Sequence, residues 1–160
     1  MLNTRLLAAA GGLAAAIAAN ASLAESHIDP AIEAAVKARQ AHMTLYSFNL
    51  GLLGGMAKGE IEYDADTASS AASNLARLAG MNQGRYWPEG SSIDDIENTR
   101  ALTAIWTEGS EVMTHVDTLV KAAATLEGAA GEGLDPLRGA LAEVGRACGG
   151  CHEDYRQSDD

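Results

Sequence analysis

The chain is 160 residues long and carries 22 acidic against 11 basic side chains, for a net charge of −11. That length suits one domain with a real core. The acidity speaks against nucleic acid and anionic membrane surfaces as partners; it fits a basic partner protein or plain solubility equally well.

Residues 1–24 read as a secretory signal peptide. Arg5 gives a basic start, Leu6 to Ala19 is apolar apart from glycines, and Ser22-Leu23-Ala24 closes on small residues. Asn20 comes too early for a membrane anchor, which needs about 20 uninterrupted apolar residues. Cleavage after Ala24, with Ala21 as the second choice, leaves a mature domain over 25–160. It retains ten bases against 22 acids, a net −12, and no stretch suited to a membrane span.

The mature chain is alanine-rich, and its apolar residues recur at helical spacing. Asp29-Pro30, a cap followed by proline at the first helical position, opens the first predicted helix. Ile32, Val36, Arg39, Met43, Tyr46, Leu50, Leu53 and Ala57 form its inward stripe, and Lys58-Gly59 ends it. A second stripe, Ala41, Leu45, Phe48, Leu52 and Met56, lies on the opposite face, where a second copy of the chain is the partner expected. A second helix runs from a cap at Asp64 or Asp66 to Ala79, before Gly80. Met81 to Asp95 reads as a long loop with Trp87 tucked against the helices. A third helix spans about Thr99 to Leu126, with Leu102, Ile105, Val112, Val116, Leu119, Val120 and Ala123 inward and Gly109 weakening its middle. After a turn at Gly128 to Gly133, Asp135-Pro136 opens a fourth helix whose inward stripe is Leu137, Leu141, Val144, Cys148, Cys151 and Tyr155. The expected fold is an all-α, antiparallel four-helix bundle.

The fourth helix carries Cys148-Gly149-Gly150-Cys151-His152. C-x-x-C-H is the attachment motif of c-type haem: two thiols add to the porphyrin vinyl groups and the adjacent imidazole ligates iron. At about 100° per residue, Cys151 falls roughly 60° behind Cys148 and His152 roughly 40° ahead of it, so one helix face presents all three. A redox C-x-x-C wants a βαβ context, and a zinc site wants about four ligands. A plain disulfide leaves His152 unexplained. Export agrees with haem, which bacteria attach outside the cytoplasm. Gly149 and Gly150 either lie within the helix, where they let the porphyrin approach the backbone, or mark its end.

The motif near the end of a short four-helix chain resembles class II cytochromes c, the cytochrome c-prime family. The supporting residues are Arg39-Gln40, Lys58-Gly59-Glu60 with Tyr63-Asp64, Ile105-Trp106, and Val144 to Arg156 around the motif. The resemblance implies one covalently attached haem c, with thioethers at Cys148 and Cys151, His152 as proximal ligand and Arg156 beside that imidazole. It further implies that Arg39 reaches a haem propionate, against the plain reading of a snorkelling surface arginine. Met43 occupies the family's distal position. In the low-spin cytochrome c-556 subgroup a methionine there ligates iron; in high-spin members the distal side chain only packs over an open face. His42 and His115 are expected on the bundle flank, with His27 ahead of the fold. Met56, Met81 and Met113 are expected to pack, and Tyr46 and Trp106 to line the core or the haem wall.

The expected function is single-electron transfer in the periplasm through a His152/Met43 haem, to or from a redox partner protein. The alternative is a high-spin cytochrome c prime that binds NO or CO. Neither a distal His/Arg pair nor a second haem motif points to an enzyme.

Overall fold

A computed structural model describes residues 28–158; the expected signal peptide lies outside them. Four helices account for most of these residues: α1 (Pro30–Lys58), α2 (Ala65–Ala79), α3 (Val112–Ala129) and α4 (Leu134–Tyr155). No described helix is long and apolar enough to cross a membrane.

Local chemistry sets most helix ends. The Asp29 carboxylate accepts from the Ala31 amide at 2.8 Å, with Pro30 in the first turn. Gly59 ends α1 in the left-handed region at φ 78°. Asp64, rather than Asp66, caps α2 through the Thr67 amide at 2.8 Å. Helix α4 starts one residue before the predicted cap: Gly133 precedes it, and Asp135 sits in its first turn, paired with Arg138 at 3.2 Å.

Each helix packs on its sequence neighbour, and α1 closes the ring against α4. Contacts at both ends make the order antiparallel. At one end Arg138 Nε donates to the Ala57 carbonyl at 2.7 Å. There, too, the Tyr63 hydroxyl donates to the Ala130 carbonyl at 2.9 Å and accepts from the Gly133 amide at 3.0 Å. At the other end the Glu111 amide donates to the Tyr155 hydroxyl at 2.8 Å. The core combines Leu53, Met56, Leu75, Leu126, Leu137 and Val144 with buried alanines such as Ala68, Ala72 and Ala123. Small side chains let the helices approach closely.

The third helix departs from the sequence reading. It starts at Val112, not near Thr99, because Gly109 adopts φ 82° and breaks the chain's helical course. Before it, Thr103–Trp106 forms a short 3-10 turn, with Trp106 Nε1 donating to the Trp87 carbonyl at 3.1 Å. Val120, expected inward, is 36% exposed.

The inward stripe of α1 is also rotated from the expected one. Val36, Arg39, His42, Tyr46, Asn49, Leu53 and Met56 are buried. His42 is therefore no flank residue, and Met56 belongs to the core rather than to the outer stripe. Leu52 is half-buried against the core, whereas Leu45 is 49% and Phe48 76% exposed.

The long α2–α3 connection is tied down at both sides. Arg39, buried, donates to Ser91 Oγ at 2.8 Å, the Ser91 carbonyl at 2.5 Å and Thr99 Oγ1 at 2.5 Å. Its guanidinium lies 4.9 Å from the Trp87 ring centre, which seats Trp87 against α1 as expected. Beyond Thr99, residues 100–102 run antiparallel to the end of α4, with a bridge between Ala101 and Arg156. The amides of Leu102 and Gln157 donate to the Tyr155 and Arg100 carbonyls at 3.0 and 2.8 Å, and that of Ile93 donates to the Ala101 carbonyl at 2.8 Å.

Candidate haem site

Helix α4 continues unbroken through Gly149 and Gly150 to Tyr155, so the glycines do not end it. Gly150 faces His115 of α3: a Cβ there would stand 3.5 Å from His115 Cε1. His115 braces this part of α4 through Asp154 Oδ2 at 3.2 Å and an edge-on contact with Tyr155, 5.7 Å between ring centres.

The two thiols lie one turn apart, half-buried and not joined to each other. Burial pushes the Cys148 thiol up; burial, then Cys148 and Asp154, raise Cys151. His152 is exposed at the next position. Its pKa is lowered by partial desolvation and then by Arg156 and Arg100. A neutral imidazole with a free nitrogen lone pair is the form that ligates a metal. Arg156 thus lies beside His152 as the sequence suggested, and Arg100, on the strap next to α4, is a second neighbour that the sequence did not reveal. Its only signal is the fold's pairing of 100–102 with the end of α4.

Across the seam, Tyr46 of α1 is 6% exposed and lies near enough to Cys148 for the two to interact electrostatically. Burial pushes its phenol up to about 12, with Gln83 opposing and Cys148 adding to the shift. Gln83 nonetheless fails to reach hydrogen-bond geometry, so the Tyr46 hydroxyl is buried without a partner, as is His42 Nε2. His42, 4% exposed, meets Tyr46 edge-on with ring centres 4.8 Å apart. Burial lowers its pKa and the Leu78 carbonyl opposes that shift. Buried unsatisfied groups cost about 1–3 kcal/mol each, so two of them on one stretch of α1, Tyr46 near Cys148 and His42 against Tyr46, mark a wall shaped for something more than packing. Met43, the next residue, is 38% exposed.

The structure therefore gathers Cys148, Cys151, His152 and Arg156 on one helix end. It ties Arg39 to Ser91 and Thr99, and leaves Met43 outside the packed core. Among the described residues, no group of three or more His, Cys, Asp or Glu side chains is placed to hold a metal ion by itself. Accessible thiols one turn apart, a neutral imidazole beside them and unsatisfied polar atoms across the seam fit a covalently attached haem. A C-x-x-C-H on the last helix of a four-helix bundle defines a class II cytochrome c.

The comparisons narrow the class. The family model described as cytochrome C' matches residues 34–156, and the chain belongs to that family. It is 43% identical over 128 residues to cytochrome c-554 of Cereibacter sphaeroides, covering 80% of this chain and 96% of the relative. The solved cytochrome c' of Rhodobacter sphaeroides superposes with a TM-score of 0.76 at 37% identity, covering 78% of this chain and 96% of that one. A further solved cytochrome c', described as having an unusual ligand-controlled dimer dissociation, gives 0.72 at 28% identity over 79% and 97% of the two chains. The cofactor of this chain is one covalently attached haem c, and Cys148 and Cys151 fit its single site.

Proposed function

We propose that the protein is an exported one-electron carrier whose haem, linked through Cys148 and Cys151, takes His152 and Met43 as axial ligands. The observation that carries this reading is the place of Met43. Helices α1 and α4 are antiparallel and packed together, and Tyr46 lies near Cys148 across their seam. One turn back along α1 therefore stands opposite one turn on along α4, which sets residue 43 level with 151 and 152. There Met43 is 38% exposed and not taken up by the core.

Cys148, Cys151, His152 and Met43 would hold the haem, which would supply one-electron chemistry at a potential that thioether ligation raises. The chain's own residues do the rest. Partial burial, then Arg156 and Arg100, favour the neutral form of His152. Arg39 is held by Ser91 and Thr99, and its remaining guanidinium donors serve a propionate. The acidic surface suits a basic redox partner, with no bond-making substrate. Periplasmic location rests on residues 1–24, and a mature chain beginning at Glu25 is the expected product of export.

A second reading, a high-spin protein that binds NO or CO, draws on the relatives named cytochrome c' and on the buried Tyr46 hydroxyl beside the motif. Absorption spectra of the ferric and ferrous protein separate the two. The electron carrier is low-spin in both states, with a far-red sulfur-to-iron band when ferric, and Met43→Ala turns it five-coordinate, high-spin and able to bind CO. A wild type already high-spin, and unchanged by Met43→Ala, overturns the carrier in favour of the gas-binding reading.

A further inference from the structure

We infer that Tyr46 is a hydrogen-bond donor to a small diatomic ligand at the iron, with His42 as the residue that positions it. The inference rests on haem attachment at Cys148 and Cys151 but not on which axial ligand the resting protein uses.

Three observations carry it. The Tyr46 hydroxyl is buried and unpartnered, and a native fold leaves such a group only where something absent from the protein atoms takes it up. The phenol belongs to the core cluster against which Cys148 packs, and Cys148 is the thiol that would bond a vinyl carbon. The propionates leave the porphyrin at the edge away from the vinyl groups, so they are not the acceptor for this hydroxyl. Finally, Tyr46 follows Met43 by three residues on α1, so the two are neighbours on one helix surface. The hydroxyl and the distal side chain thus approach the haem from the same side.

His42 completes the arrangement. Its ring stands edge-on to Tyr46, 82° between planes, and faces Tyr86 on its other side with ring centres 5.8 Å apart. The imidazole, buried between α1 and the start of the long connection, denies the phenol the space to swing away. Gln83 lies near the hydroxyl without a hydrogen bond of normal geometry, leaving the donor available.

The test uses the haem-loaded protein and Tyr46→Phe, which removes the hydroxyl and little else. Because the hydroxyl is unpartnered in the fold, Tyr46→Phe should melt no lower than wild type; a purely structural hydroxyl would show the opposite. If wild type is six-coordinate, both tyrosine forms are made in the Met43→Ala background; if it is high-spin, wild type itself is used. The carrier reading can therefore fail while this test still decides. With CO bound to the ferrous protein, Tyr46→Phe should raise the C–O stretching frequency, and NO should leave about tenfold faster, the fold-change of one ordinary hydrogen bond. His42→Leu should give a smaller change in the same direction. An unchanged C–O stretch and unchanged NO release in Tyr46→Phe overturn the inference, as does a loss of stability without either spectroscopic change.

Discussion

Arg39 shows how much one side chain organises. Its charge is buried, yet the groups it bonds are neutral: a serine hydroxyl, a backbone carbonyl and a threonine hydroxyl, with Trp87 stacked beneath. Burial lowers its pKa, but a guanidinium remains charged throughout the working range. Only a planar fork reaches Ser91 and Thr99 together. Arg39→Lys, which keeps the charge and loses the fork, should cost about 1–3 kcal/mol in urea denaturation of the haem-loaded protein. A midpoint equal to that of wild type would show that the connection holds itself in place. The sequence marked Arg39 as inward but could not reveal this role, because Ser91 and Thr99 stand 52 and 60 residues away.

At the scale of the elements, Gly109 decides where α3 begins. Its φ of 82° is open to glycine and strained for any residue with a Cβ; no neighbouring atom stands in the way of one. Gly109→Ala should therefore destabilise by about 1–2 kcal/mol through the backbone alone, read as a lower denaturation midpoint with unchanged helix content. A gain in helical signal would mean that the segment from Thr99 was poised to extend α3. The same glycine explains what was legible in the sequence. The ends of α1 and α2 were readable because an aspartate and a glycine act within a turn of themselves. The start of α3 was not, since Leu102, Ile105 and Val112 keep helical spacing while a left-handed residue interrupts the backbone. The motif was fully readable, being local chemistry on one helix face. The burial of His42 and Asn49 was not, because Asn74 of α2 and Tyr86 of the α2–α3 connection reach α1 only through tertiary folding.

For the whole molecule, the outer face of α1 is the surface through which a second copy would pack. Phe48 at 76% and Leu45 at 49% exposure, with half-buried Leu52 beside them, form an apolar stripe that a second copy would cover. Phe48→Glu should convert a dimer into a haem-loaded monomer in sedimentation experiments; a wild type that is monomeric at high concentration removes the proposed dimer. The strap at residues 99–102 binds the ring of helices in another way. Thr99 holds α1 through Arg39, Leu102 and Arg100 hold the end of α4, and Ala101 holds Ile93. All of them pass through four consecutive residues, so opening one should loosen the others. The amides of Ile93, Leu102 and Gln157, far apart in the chain, should then exchange their hydrogens with solvent at one common rate. The closure between the first helix and the last becomes a single cooperative opening, distinct from fraying at the helix ends.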